Sequence, residues 1–122
     1  MTDCIFCKVI AKELPSRTVF EDDGVMAFYD INPKAPVHAL VVPKKHIVSI
    51  NDLREEDTDV IARVMRAAPA VAEKLGVRQS GYKLVFNVGR GGGQVVDHIH
   101  MHVLAWPKAA ADTGDGKEVV PV

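Results

Sequence analysis

Cysteine is scarce in this chain: two in 122 residues, at positions 4 and 7. In a reducing compartment, two thiols so close together are a metal pair or free thiols rather than a structural disulfide. Long apolar runs are missing as well. Crossing a bilayer takes about 20 consecutive apolar residues, so no membrane partner is expected. The opening Met1-Thr2-Asp3-Cys4 lacks a basic start followed by an apolar stretch. No secretory signal is therefore expected, and a cytoplasmic location is the default. Nor is there an excess of one charge: 15 Lys+Arg against 16 Asp+Glu give a formal net charge of -1. No overall field draws nucleic acid or an acidic membrane surface. There is no internal repeat. What remains is ordinary for a soluble globular protein, 48% hydrophobic and 25% charged, with length for one domain around a single modest core.

Hydrophobic spacing and turn residues predict the elements. A short helix is expected over 4–13, where Ile5, Phe6, Val9 and Ile10 recur at helical spacing and Pro15 follows. Strands are expected over 18–21 and 25–29, joined by the turn Asp22-Asp23-Gly24. A proline-punctuated loop at 32–36 leads into a strand over 38–42, ended by Pro43. The longest helix is expected over 55–75, with Asp52 and Glu55 as its capping box, Pro69 kinking or dividing it, and Gly76 as its C-terminal cap. Strands over 82–88 and 95–104 flank the loop Gly89-Arg90-Gly91-Gly92-Gly93. The tail, 107–122, has no period and is expected to be loose or to lie at a dimer interface. This order gives an α+β domain, a mostly antiparallel five-stranded sheet with one long and one short helix covering one face.

Chemistry concentrates in Asp97-His98-Ile99-His100-Met101-His102-Val103-Leu104, which holds three of the five histidines. In an extended strand His98, His100 and His102 share one face, about 6.5 Å apart, and the apolar residues share the other. Imidazoles so spaced can hold a metal ion, or attack and position a phosphoryl group. On these residues alone both readings stand.

The segment matches His-x-His-x-His followed by two apolar residues, and in this it resembles the histidine-triad (HIT) superfamily. Further stretches resemble its Hint branch in the same order: Cys4-Ile5-Phe6-Cys7-Lys8-Val9-Ile10, Phe28-Tyr29-Asp30-Ile31-Asn32-Pro33, Pro36-Val37-His38, Val42-Pro43-Lys44-Lys45-His46 and Asn87-Val88-Gly89-Arg90-Gly91-Gly92-Gly93-Gln94. A collinear set is far more specific than any one motif. The resemblance implies a single, dimerising HIT domain over 1–122. It also implies hydrolysis of purine nucleoside phosphoramidates and related nucleotide conjugates through a nucleotidyl-histidine.

Carried over residue by residue, the resemblance makes His100 the nucleophile, His98 and His102 its supporting pair, and His38 an orienting fourth histidine. Asp30 would accept from both ribose hydroxyls, as the two oxygens of a carboxylate suit a vicinal diol. Ile5, Phe6, Phe28 and Ile31 would sandwich the purine. The Asn87 side chain, with Gly93 and the backbone amides of Gln94 and Val95, would meet the phosphate, as glycine-rich nests bind anions. Cys4-x-x-Cys7 is a common half of a zinc site, and the resemblance implies His46 and His98 as the other two ligands of a structural zinc.

One departure matters. After Gly-Gln the family usually carries Ser or Thr, whose hydroxyl lies near the leaving group; here it is Val95. Val95 leaves room for another leaving group, such as a second nucleotide or the carboxylate of an acyl adenylate. The expected function is thus a phosphoramidase-like nucleotide hydrolase. The alternatives are a dinucleoside polyphosphate hydrolase and a nucleotide-binding regulatory protein with weak turnover.

Overall fold

The computed structural model describes residues 3–107. A six-residue helix, α1 (Ile5–Ile10), precedes the hairpin of β1 (Thr18–Glu21) and β2 (Val25–Tyr29), then β3 (Val37–Pro43). The long helix α2 (Thr58–Leu75) leads to β4 (Lys83–Phe86) and β5 (Met101–Ala105). The five strands form one antiparallel sheet in the order β1-β2-β3-β5-β4. The tail reading falls almost wholly outside the described residues.

Local chemistry explains most element ends. Asp22 Oδ1 accepts from the N–H groups of Gly24 and Val25 at 2.9 and 2.8 Å, closing the β1–β2 turn as an Asx turn. α1 ends before residue 13 because Lys12 turns left-handed, at φ 66°. α2 ends at Gly76, at φ 76°, whose N–H caps carbonyls of the last turn. It starts three residues later than expected, and Asp52 and Glu55 do not form its capping box. Asp52 instead takes the Ser49 hydroxyl at 2.8 Å, and Asp57 takes the Arg54 N–H at 3.0 Å. These contacts hold two short 3-10 turns, Ile50–Asp52 and Glu55–Asp57, ahead of the helix. Pro69 lies inside α2 without dividing it.

Alternation along the strands builds two cores. On one face Val25, Ala27, Val41, Met101 and Val103 pack against Val64, Ala67, Ala68 and Val71 of α2. On the other, Met26, Phe28, Leu40 and Val42 pack against Phe6 and Val9 of α1. The helices therefore do not share a face as expected. Both residue parities of β2 and β3 are apolar, so each face needs its own cover. α1 covers only part of the second face, and the part beyond α1 carries His38 and His102.

The histidine segment is the main departure. A strand was expected over 95–104, yet β5 begins only at Met101. Upstream, the His98 N–H turns back to the Val96 carbonyl at 2.9 Å, and the Ile99 N–H goes to the Ile47 carbonyl at 2.7 Å. These bonds replace ladder pairing, so the three imidazoles do not form one straight row.

Candidate active site

Register sets the floor of the site. Leu40 on β3 faces His102 on β5, which faces Val85 on β4; His38 faces Leu104, which faces Lys83. Above this floor lies a cleft of about 770 Å³, lined by Ile5, Phe6, Phe28, Asp30, Ile31, His38, Asn87, Gly93, Val95, His100 and His102 among others. Most residues expected at the site thus meet in one cavity. Apolar walls come from α1 and β2, where Phe6 and Phe28 meet edge to face with ring centroids 5.5 Å apart. Ile31 is 87% exposed at the rim, and Ile5 is half-exposed. Lys34, Leu40, Val85 and Leu104 also line the cleft and were not singled out in the sequence. Leu40, Val85 and Leu104 follow from strand parity once register is known; nothing local marks Lys34.

Hydrogen bonds assign the imidazole tautomers, because a carbonyl only accepts and a backbone N–H only donates. His100 Nδ1 lies 2.8 Å from the His98 carbonyl oxygen, so Nδ1 carries the proton and Nε2 keeps its lone pair. Burial holds His100 below the usual imidazole range, favouring this neutral, nucleophilic ring. Phe6 packs edge-on against it, with centroids 5.1 Å apart. His102 is the neighbouring ring, 5.0 Å away between centroids, and burial pushes it down to about 4.

Of the two places expected for His98, its ring takes the one beside Cys4, Cys7 and His46. It is fully buried, and its Nε2 donates to the Pro43 carbonyl at 2.8 Å. That leaves the Nδ1 lone pair aimed away from the cleft, 3.3 Å from Cys4 Sγ, 3.6 Å from Cys7 Sγ and 3.2 Å from His46 Nδ1. Its support for His100 comes from its backbone carbonyl rather than its ring.

Cys4, Cys7, His46 and His98 each offer one ligand atom, all within 4.8 Å of one another. Cys7 Sγ lies 3.3 Å from His46 Nδ1. A tetrahedral zinc with its usual bond lengths places two nitrogens about 3.3 Å apart and a nitrogen and sulfur about 3.6 Å apart, so the set fits. Burial, above all, pushes His98 down to about 4, which keeps its ring unprotonated as a ligand must be. Two cysteines and two histidines close the shell, so such an ion would be structural.

The glycine loop is held from within. Gly93 turns left-handed at φ 86°. The buried Gln94 side chain accepts from the Gly89 N–H at 2.9 Å and donates to the carbonyls of Val48 and Val96 at 2.7 and 2.9 Å. Its backbone N–H goes to the Gly89 carbonyl at 3.0 Å. Both the side chain and the backbone N–H of Gln94 are thus engaged within the protein, and Gln94 shapes the loop. Val95, 78% exposed, does line the cleft. Asn87 Nδ2 donates to the Gly92 carbonyl at 2.8 Å, tying β4 to the loop.

Asp30 lies at the opposite end of the histidine cluster. Its Oδ1 accepts from the Asn32 N–H at 2.8 Å, and its Oδ2 is 3.4 Å from His38 Nε2. Each carboxylate oxygen has a further lone pair, so acceptor capacity toward a ligand remains.

The HIT domain model matches residues 11–108. The chain is 44% identical over 102 residues to the purine nucleoside phosphoramidase of Escherichia coli strain K12, covering 84% of this chain and 86% of that protein. It is 42% identical over 107 residues to protein HitA of Neisseria gonorrhoeae, covering 88% and 99%. Its structure resembles the HIT family hydrolase from Legionella pneumophila Philadelphia 1 with a TM-score of 0.81 at 48% identity, covering 84% and 92%.

Proposed function

The chain belongs to the HIT domain family, and on that premise we propose that it hydrolyses purine nucleotide conjugates at the α-phosphorus. The single observation that carries this reading is His100. Its Nδ1–H is tied to a backbone carbonyl, and its free Nε2 lone pair belongs to a ring lining a nucleotide-sized cleft. His100 Nε2 attacks the α-phosphorus, and the bond from phosphorus to the leaving group breaks. A departing amine takes up a proton from solvent, which the water of the second step returns. Water then attacks the nucleotidyl-histidine, releases the nucleoside monophosphate and restores the ring. The name of the Escherichia coli relative supports the purine and the phosphoramidate. The deciding comparison is turnover of adenosine phosphoramidate beside diadenosine polyphosphates, with wild type and a His100 variant in parallel. No turnover of either substrate leaves a binding protein.

Val95 favours a second reading, hydrolysis of dinucleoside polyphosphates, whose leaving group departs without needing a proton. Val95→Ser supplies a hydroxyl at the exposed wall of the cleft. It is expected to raise phosphoramidate hydrolysis more than polyphosphate hydrolysis. Equal change in both kcat/KM values would show that residue 95 does not set the preference.

We further propose a homodimer, as the resemblance implies, and zinc at Cys4, Cys7, His46 and His98. Sedimentation should give twice the 13.3 kDa chain mass. Bound zinc would join α1 to the sheet as a cross-link. Metal analysis should give about one zinc per chain. Stripping it is expected to lower Tm by about 10 °C, since binding to the folded state alone stabilises it. Nucleotide affinity should fall with it, because Ile5 and Phe6 ride on α1. A zinc-free folded protein with two freely alkylated thiols rules the site out. No helix among the described residues is long and apolar enough to cross a membrane.

A further inference from the structure

We propose that the Lys34 backbone N–H is a positioning group for this reaction: through His38 it fixes His102 as a hydrogen-bond donor at Nε2, beside the lone pair of His100. The inference rests on His100 being the nucleophile.

The chain of bonds is short and directional. The Lys34 N–H donates to His38 Nδ1 at 2.9 Å. That nitrogen therefore accepts, and a neutral His38 carries its proton on Nε2. Burial keeps His38 below the usual imidazole range, and its side chain is 1% exposed, so the ring has no room to turn over. His38 Nε2 lies 2.9 Å from His102 Nδ1 and 3.4 Å from Asp30 Oδ2. Its proton goes to the nearer partner, with the carboxylate as a secondary acceptor. His102 Nδ1 thus accepts, and the neutral His102 ring keeps its own proton on Nε2, the nitrogen not engaged by His38.

This order excludes an alternative. Asp30, His38 and His102 bring three potential ligand atoms within 4.8 Å of one another, as a metal site would. A metal there needs a lone pair on His38 Nε2. The Lys34 N–H already takes the Nδ1 lone pair, so Nε2 holds the proton and the cluster is a hydrogen-bond chain.

The consequence for chemistry is a division of labour between neighbouring rings. His100 offers a lone pair at Nε2, and His102 offers an N–H at the same ring position. A phosphoryl group under attack gathers negative charge on its non-bridging oxygens. A donor already aimed and tautomerically fixed needs no reorganisation to meet that charge. With the opposite tautomer, His102 would present a second lone pair to an anion.

The test compares Lys34→Pro, which removes the N–H, with Lys34→Ala, which keeps it. Both are made with His38 and with His38→Gln, whose side-chain amide can donate to His102 Nδ1 without help from residue 34. With His38 present, Lys34→Pro is expected to lower kcat about 10–100-fold below Lys34→Ala, as loss of an orienting partner typically does, with KM little changed. With His38→Gln, the difference between proline and alanine should largely vanish. Nitrogen–proton NMR correlations on the zinc-loaded wild type should place the His38 and His102 protons on Nε2 and the His100 proton on Nδ1. A proton on His102 Nδ1, an equal fall in both backgrounds, or no fall overturns the inference. Should Lys34→Pro fail to fold, the wild-type tautomers decide alone. A wild type that turns over no nucleotide conjugate overturns the proposed function instead, and the tautomers still decide this inference.

Discussion

His100→Ala is expected to lower kcat by at least about three orders of magnitude, the scale of losing a nucleophile. No neighbour can take over. His98 has one ring nitrogen on the Pro43 carbonyl and the other among the cysteines. The Nδ1 of His102 faces His38, and His38 has its own Nδ1 lone pair on the Lys34 N–H. Nucleotide binding should survive within a fewfold, because Ile5, Phe6, Phe28 and Asp30 lie on other elements. Acid quenching of wild type with a phosphorus-labelled substrate should trap label on the protein, and the variant should trap none. Near-normal hydrolysis by His100→Ala would sink the covalent mechanism. His100 is not a proposed metal ligand, so α1 should keep that link to the sheet although Phe6 loses the edge contact with the His100 ring.

Asp30 should decide between ribose and deoxyribose. Two hydrogen bonds from hydroxyls to a carboxylate contribute about 1.5–3 kcal/mol each, so their joint loss weakens ribonucleotides by roughly two to four orders of magnitude. Asp30→Ala removes these acceptors but also the Oδ1 that holds the Asn32 N–H. Asp30→Asn keeps an oxygen for that turn while removing the charge, so it separates sugar recognition from loop collapse. Both variants should weaken ribonucleotides far more than 2′-deoxy analogues in titration calorimetry. Equal weakening of both sugars would mean that Asp30 shapes the loop and does not read the ribose.

Much of the fold was legible locally because its signals are local. β1 and β2 stand where alternation and the Asp22-Asp23-Gly24 turn place them, and Gly76 caps α2 as its freedom at positive φ predicts. The sequence leaves the start of α2 open because Ser49/Asp52 and Asp52/Glu55 both stand at capping spacing. Only the folded chain shows that Ser49 takes up Asp52 and that Asp57 serves Arg54. The position of α1 was missed for another reason. A six-residue helix has one apolar stripe, and its spacing does not say which sheet face receives it.

The sequence by itself determined the family, the order of the five strands and part of the cleft's lining, since motif spacing and side-chain parity are properties of the chain. Tertiary structure alone decided what each histidine does. Parity assigns His98, His100 and His102 to one face only while the backbone stays extended, and the bonds to Val96 and Ile47 end that condition before Met101. The Pro43 carbonyl then turns His98 toward the cysteines, the His98 carbonyl frees Nε2 of His100, and the Lys34 N–H sets His38 and through it His102. An imidazole has two nitrogens and one proton when neutral. Which nitrogen holds the proton depends on partners up to 64 residues away, and no local pattern encodes them.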